Sequence, residues 1–323
     1  MRAKLRLHCR NGQEDRMNDI LKSALSSNPP LMESVSARLE SIKNTVLEIK
    51  PSINSGKFDL VAVDWAGIGD ACCHSRLILQ HLHGQGHRIA WITIPKVAEL
   101  FKDDVLFDIF PGFSCPYRDV SLPWCGEVAK EIDGLLGVFS PTKLHISMRV
   151  FDQWAIRRGI SNYSEFFFSA CSVKRDSSIK HEIRHLGKPT IALPNKFVCL
   201  ENIGMTCGSI SQEACAGIVS AMGSIGVSVV CMGSKDNPYV NGCVDARGLS
   251  LYDSFSVVKN SIGIIGKSSG NQSLFCFLPD LPIFEVDVPE CASYRDCRLS
   301  NRVTKVTACS AARVMKEYFG GRA

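Results

Sequence analysis

Several features that would mark particular classes of protein are missing from the 323-residue sequence. It has 15 cysteines, but no Cys-x-x-Cys pair and no Cys/His set with zinc spacing, so we expect reduced thiols packed as small hydrophobic side chains. No Asp-x-Asp metal motif occurs. No run approaches the ~18 apolar residues of a membrane-spanning helix, and the N-terminus lacks the apolar core of a secretory signal. These absences predict a cytoplasmic protein without a transmembrane segment.

The composition is that of a globular protein with little charge of either sign in excess. Hydrophobic residues make up 45% and charged residues 21%, with a formal net charge of +5. This balance excludes a disordered chain, and it is too weak to indicate a nucleic-acid partner without a local basic patch. The length suffices for two domains with their own cores.

The chain divides into three regions by its pattern of apolar residues. Residues 1–55 carry apolar residues at helical spacing, over 17–25 and 31–49, and predict a helical extension that packs on the body or on a partner. Beyond it, strand-like and helix-like segments alternate in two series, over 56–187 and 188–323. Alternation of this kind predicts parallel sheets with helices on both faces, so we expect two Rossmann-like domains facing each other across a cleft.

The expected elements follow from short buried-type apolar runs and from helical periodicity. The predicted strands cover residues 58–63, 89–94, 105–110, 143–148, 190–193, 227–232, 262–265 and 283–286. The predicted helices cover residues 71–83, 97–101, 126–138, 211–223, 251–260, 272–278 and 306–318.

A glycine turn follows the first predicted strand, as Gly67-Ile68-Gly69-Asp70. A dinucleotide fingerprint needs a third glycine, where this chain has Cys72, and an acid at the end of the next strand, which here ends Thr93-Ile94-Pro95. The pattern therefore disfavours a hydride-transfer enzyme. We expect Gly67 and Gly69 to bring the turn close to a ligand and to adopt positive φ.

Asp70 has two interpretations. Its carboxylate can cap the following helix, or it can interact favourably with the positive end of the helix dipole from the first turn. It can also act as a general base, because open α/β sheets bind ligands at the carboxyl ends of their strands. In the helix that follows, His74 and His81 are expected to be exposed or interface residues rather than ligands.

The second series contains three loops suited to an anion. A predicted strand leads into Gly233-Ser234, Gly248-Leu249-Ser250 precedes a helix, and another strand leads into Lys267-Ser268-Ser269-Gly270-Asn271-Gln272. Backbone N–H groups and the dipole at a helix N-terminus favour phosphate, and Lys267 adds positive charge.

Taken in their order along the chain, the Asp70 turn and these loops resemble those of the heptosyltransferase-like glycosyltransferases. This is the ADP-heptose:lipopolysaccharide (glycosyltransferase family 9-like) family, which has the GT-B fold. The small-x-Gly-Asp turn of that family is matched by Ala66–Asp70, and its C-terminal signature by the segments 227–233, 248–251, 262–265 and 268–270. The resemblance covers roughly residues 57–290. It implies an inverting transfer from a nucleotide-diphosphate sugar to an acceptor hydroxyl, with Asp70 as base and no obligatory metal or other cofactor.

The resemblance also assigns donor contacts and shows where this chain departs from the family. Asn195 and Lys196 stand where the family holds the diphosphate, after the expected first strand of the second domain. The family's acid before Ser/Thr-Gly is Ser268 here, and its histidine in the next helical turn corresponds to Ser273. These departures leave open a different donor or a catalytically silent site.

Three function hypotheses follow. The first is a glycosyltransferase; the second is another GT-B nucleotide-sugar enzyme, an epimerase or hydrolase; the third is a silent GT-B binding protein. The partners expected are a nucleotide sugar and an unidentified acceptor, which can be a glycan, a lipid-linked molecule, a nucleic acid or a protein. Residues 1–55 predict an oligomer or a protein partner.

Overall fold

The computed structural model describes the chain in ten segments and one single residue. They are residues 29–65, 67–104, 106–112, 132–147, 163–176, 178–179, 190–204, 208–267, 278, 280–287 and 303–321. The helices expected over 17–25 and 272–278 lie wholly or almost wholly outside them.

The first half of the chain forms a four-stranded parallel sheet. Its strands are β1 (Leu60–Asp64), β2 (Ile89–Thr93), β3 (Asp108–Pro111) and β4 (Thr142–His145), in the order β3-β2-β1-β4. Every residue of β1 and β2 is buried, which is why their sequences are nearly unbroken apolar runs. The strands predicted over 58–63, 89–94, 105–110 and 143–148 are confirmed, with ends shifted by up to three residues.

Helices cover this sheet. They are α1 (Pro29–Ile53), α2 (Ile68–Asp70), a π-helical turn (Ala71–Ser75), α3 (Arg76–Gly84), α4 (Pro95–Leu100) and α5 (Tyr163–Ala170), with a further helical segment over 132–136. The apolar stripe of α1, spaced by three and four residues, is buried in the same hydrophobic cluster as β1; it consists of Ile42, Val46, Ile49 and Ile53. The helix predicted over 31–49 is thus confirmed and packs on the body of the protein.

The second half forms a six-stranded parallel sheet. Its strands are β5 (Phe197–Glu201), β8 (Ser228–Cys231), β9 (Val244–Asp245), β10 (Ile264–Gly266), β11 (Ile283–Val286) and β12 (Val303–Val306); a separate two-stranded ribbon pairs β6 (Ile203–Gly204) with β7 (Gly208–Ser209). The sheet order is β12-β11-β10-β5-β8-β9. If the six strands are numbered in chain order and the sheet is read from β9 to β12, the order is 3-2-1-4-5-6, which is the Rossmann order. The first sheet has the same arrangement for its four strands.

In the described segments, three helices accompany the second sheet: α6 (Gln212–Gly223), α7 (Leu251–Lys259) and α8 (Ala308–Gly320). One face of the sheet, with Val198 and Leu200, packs in a cluster with α6 and α8. The other face, with Phe197 and Cys199, belongs to the hydrophobic cluster that also contains β1 and β2. The two halves therefore share apolar packing, and Lys102 of the first lies over the ring of Tyr252 in α7 at 5.2 Å.

One predicted strand of the second half was wrong, and one strand there was not predicted. The strand expected over 190–193 lies instead at Phe197–Glu201, because Pro194 interrupts the first run whereas every residue of the second is buried. The helix expected over 306–318 is confirmed at Ala308–Gly320, with Thr307 as its N-cap. The residues before it form the edge strand β12, which was not predicted. Its alternating, partly exposed sequence Val-Thr-Lys-Val gave no buried-strand signal.

The cysteines behave as the composition predicts. The eight that the structure describes are free; seven are buried and Cys309 is exposed. Burial raises the pKa of the Cys199 and Cys243 thiols to about 12. These buried thiols are therefore packing groups rather than thiolate nucleophiles.

None of the helices in the described segments combines the length and apolarity needed to cross a bilayer.

Candidate functional site

The strand order fixes where a ligand is expected. In open parallel sheets, ligands bind beyond the carboxyl ends of the strands, at the point where the strand order reverses. In the first sheet this point lies between β1 and β4, and in the second between β5 and β10.

The turn that carries Asp70 begins at the first of these points, after β1. Gly67, with φ −58° and ψ 157°, is the N-cap of α2, and Asp70 lies in the first turn, half-buried. The positive φ expected for Gly67 and Gly69 is wrong, because Gly67 is an N-cap residue with ordinary extended backbone and Gly69 lies inside α2. A Cβ added at Gly67 would meet nothing within 4 Å, so the turn has open space at its start.

A π-helical turn follows Asp70 immediately. Residues Ala71–Ser75 are all buried, between α2 and α3. Turns of this kind are rare and are frequently found at functional sites. Nothing in the sequence signalled it, because the apolar periodicity here is that of an ordinary helix.

A second carboxylate, missed in the sequence, lies at the same edge. Asp64 ends β1 and is 1% exposed. Its Oδ1 accepts a 2.6 Å hydrogen bond from the Ser147 hydroxyl, which in turn accepts from the Trp65 backbone N–H at 3.0 Å. Ser147 thus ties the end of β1 to the segment after β4, at the start of the turn that carries Asp70. The two residues are 83 positions apart, so no local pattern could reveal the pair.

Cys72 lies among these acids. Burial raises the pKa of its thiol well above the ordinary value, and Cys73, Asp64 and Asp70 raise it further, against an opposing effect of Arg76. The thiol is therefore neutral, which excludes a thiolate nucleophile at this position.

The histidines after the turn are buried. Of the two alternatives expected for them, exposure and a place at an interface, exposure is wrong. The ring of His74 stacks on Phe167 at 4.4 Å between centroids. His81 Nε2 accepts from the Asp176 backbone N–H at 2.6 Å. Both pack against the segment that begins with α5, which the helical spacing alone could not show.

A buried ion pair anchors the helix that follows the π-helical turn. The guanidinium of Arg76 donates to Asp104 Oδ2 at 2.7 and 3.0 Å, and both side chains are almost fully buried. Asp104 also accepts from the Leu106 backbone N–H at 2.9 Å.

At the second sheet, two of the predicted loops come together. Gly248 N donates to Gly233 O at 2.8 Å, and both glycines have positive φ, +80° and +114°. Ser234 is exposed and Leu249 half-buried. Ser250 is the N-cap of α7, because its hydroxyl accepts from the Asp253 backbone N–H at 3.1 Å.

A cluster of ions that the sequence did not reveal supports these loops. Asp245 of β9 accepts from Arg247 at 2.8 and 3.0 Å and from Lys235 at 3.0 Å. The hydrogen bond from Arg247 lowers the pKa of Asp245 far below its usual range, against partial burial and with help from Lys235. Arg247 also donates to the backbone carbonyl of Asn237.

Lys267 lies at the reversal point of the second sheet. It follows β10, is buried, and donates from Nζ to the carbonyl of Asp287 at 3.1 Å. Glu201 and Glu285, both buried, flank Gly266 in register on the neighbouring strands, and the sequence analysis missed them. The rest of the predicted loop lies outside the described residues: Ser268, Ser269, Gly270, Asn271 and Gln272.

Asn195 and Lys196 do not have the position predicted for them. They precede β5, and Lys196 O accepts from the N–H of Ser228 at the start of β8, so they lie at the amino edge of the sheet. The error follows from the misplaced strand over 190–193. The other donor-binding candidates that are described lie at the opposite, carboxyl edge.

In the described segments no group of three or more His, Cys, Asp or Glu side chains is arranged to hold a metal ion. Independence of a metal stays a prediction.

No protein-family model matches the sequence, and no curated protein matches it. Solved structures do. The chain is similar to the glycosyl transferase family 9 protein from Veillonella parvula, at 12% identity and a TM-score of 0.55, covering 81% of this chain and 89% of that one. It is similar to the E. coli heptosyltransferase WaaC with ADP, at 12% identity and a TM-score of 0.52, covering 82% and 99%.

A third similar structure is the iron-containing dodecameric glycosyltransferase TibC from enterotoxigenic E. coli, at 11% identity and a TM-score of 0.52. The match covers 77% of this chain and 62% of TibC, so this chain spans about three fifths of TibC's length. Together with the two parallel sheets, these similarities show that the chain has the GT-B fold of the heptosyltransferases and family 9 glycosyltransferases.

Proposed function

We propose that the protein is a glycosyltransferase that moves a sugar from a nucleotide-diphosphate donor to an acceptor hydroxyl with inversion. The observation that carries the proposal is the pair of reversal points in this fold. One has Asp64 at the end of β1 and Asp70 in the turn that follows. The other has Lys267, with the glycine loops Gly233 and Gly248 beyond the neighbouring strands.

Asp70 is the proposed general base. It is half-buried, in the first helical turn after β1, whereas Asp64 is fully buried and committed to Ser147. A base must reach the acceptor hydroxyl, and Asp70 meets that need better. It would take the hydroxyl proton as the oxygen attacks the anomeric carbon and the nucleoside diphosphate leaves.

The donor is proposed to bind at the carboxyl edge of the second sheet. Positive-φ glycines let the backbone approach a ligand closely, and Lys267 supplies positive charge beside a leaving diphosphate. Lys196 has no part in this proposal, because it lies at the other edge. Solved neighbours include WaaC with an ADP-2-deoxy-2-fluoro heptose and TibC with an ADP-heptose, which supports a nucleotide-sugar donor here.

Metal independence, assembly and location complete the proposal. We propose transfer without a metal, although the neighbour TibC is iron-containing, and activity that survives EDTA would support it. TibC is also dodecameric, and we propose assembly through residues 1–55, to be tested by light scattering with and without that region. Cell fractionation tests the proposed cytoplasmic location.

A catalytically silent binding protein is the second candidate. It is favoured by Ser268 and Ser273, which replace the acid and histidine of the family that the sequence resembles. A bound nucleotide sugar that is never turned over, with any hydroxyl acceptor, would support it.

The test begins with thermal melting of the wild type in ADP, UDP and GDP and in their sugar conjugates. A ligand that binds the folded state raises the melting temperature by mass action. The donor so identified is then incubated with and without a panel of hydroxyl acceptors. Product only with acceptor indicates a transferase, and turnover without acceptor indicates a hydrolase or epimerase. If no nucleotide raises the melting temperature at millimolar concentration, the proposed function is wrong.

A further inference from the structure

Tyr239 is an exposed aromatic side chain in the connection between β8 and β9. It is 40% exposed, and among the described residues it shares that condition with only one other large hydrophobic side chain, Leu47 of α1. Exposed aromatic rings of this kind are commonly used for recognition.

The ring is held in place on one face and at its tip. Its hydroxyl donates to the carbonyl of Cys243 at 2.6 Å, and the guanidinium carbon of Arg247 lies 5.1 Å from the ring centroid. Arg247 is itself fixed by two hydrogen bonds to Asp245 and one to the Asn237 carbonyl. A ring backed by a fixed guanidinium loses little freedom when a second ring stacks on it.

The connection that carries the ring also contacts the reversal point of the second sheet. The side-chain amide of Asn202, directly after β5, donates to the carbonyl of Pro238 at 3.1 Å. Asn237 fills the space beside Gly233, where a Cβ would lie 2.5 Å from its Nδ2. Tyr239 therefore lies one residue from a contact with the reversal point, through Pro238, and two residues from a contact with the glycine loop, through Asn237.

Charge does not explain what this surface would bind. Lys235 and Arg247 are balanced by Asp236 and Asp245, so the segment has no excess charge to attract a phosphate. The feature left is a flat aromatic face.

We propose that Tyr239, backed by Arg247, is the surface on which the nucleobase of the donor stacks. This inference rests on the proposed function, since it needs a nucleotide donor at this edge. The ligand recognised is the planar base, and the diphosphate is bound elsewhere on the same edge.

Isothermal titration of ADP, UDP, GDP and inorganic pyrophosphate tests this in wild type, Tyr239→Ala, Tyr239→Leu and Tyr239→Phe. Loss of a base-stacking ring typically weakens binding by about 5- to 150-fold. We expect that loss for the nucleotides in the Ala and Leu variants and none for pyrophosphate. The Phe variant keeps the ring and should bind nucleotides nearly as wild type does.

The outcomes separate the two ideas. If Tyr239→Ala or Tyr239→Leu binds nucleotides with the affinity of the wild type, the stacking surface is overturned and the proposed function still stands. An equal loss for pyrophosphate also overturns it, because the effect would then not come from the base. If wild type binds no nucleotide, the proposed function fails and this inference fails with it. Melting curves without ligand confirm that each variant is folded.

Discussion

The carboxyl edges of the two sheets have the same strand order around their reversal points but are built differently. At the first, a buried hydrogen bond joins Ser147 to Asp64, and a buried ion pair between Arg76 and Asp104 holds the helix that leads away from it. The second is shaped by glycines with positive φ and by the partly exposed ions around Asp245. The comparison teaches that topology sets where a site lies, while local chemistry decides whether it presents a carboxylate or a backbone suited to an anion.

The largest expected effect on stability tests the first edge. Asp104→Ala removes the carboxylate from the buried Arg76, and breaking a buried pair in this way costs about 3–5 kcal/mol. Its exposed neighbour provides the matched control, since Asp103→Ala should stay within about 0.5 kcal/mol of wild type. Urea unfolding measures both free energies. Similar values for the two variants would show that the first edge is not fastened as described.

Glycine substitutions should separate the edges in a graded series. Gly233→Ala forces a side chain to positive φ, at about 1–3 kcal/mol, and brings Cβ against Asn237. Gly226→Ala imposes positive φ without any contact within 4 Å, and Gly67→Ala imposes neither. We expect the free energy of unfolding to fall most for Gly233, less for Gly226 and by no more than about 0.5 kcal/mol for Gly67. A loss at Gly67 as large as at Gly233 would remove the distinction between the edges.

The smallest effect concerns acid sensitivity at the second edge. The Arg247 hydrogen bond holds the pKa of Asp245 below its ordinary value, so the unfolded chain binds more protons. The stability that this pair contributes is present above about pH 4 and declines as the pH falls below it. Asp245→Asn should flatten that part of the pH dependence in urea unfolding between pH 5 and pH 3, and Lys235→Ala should flatten it less. An unchanged slope in Asp245→Asn would contradict the described ion cluster.

Much of the architecture was predictable because buried parallel strands leave a strong signal. The apolar runs of β1, β2, β8 and β11 each gave a strand at the right place. The failures have local causes. Two apolar runs separated by Pro194 competed for one strand position, and the short edge strand β12 alternates with exposed residues.

The positions of the candidate site residues were predictable only where a motif is contiguous. The turn carrying Asp70 and the loops at Gly233 and Gly248 could be found from adjacent residues. The pair Asp64–Ser147 could not, because it forms between strands far apart in the chain. Lys196 was misassigned because its role depended on which side of a strand it occupies.

The measurement that tests the central claim most directly is made on Asp70→Asn, with Asp103→Asn as control. Once the donor is known, its affinity is measured by titration and its transfer rate by release of the nucleotide in the presence of acceptor. We predict that kcat falls by about 10²–10⁴ in Asp70→Asn, while the donor Kd equals that of wild type and Asp103→Asn is normal in both. A transfer rate unchanged in Asp70→Asn, or a donor affinity lost in proportion to the rate, would contradict the assignment of base chemistry to the first edge and donor binding to the second.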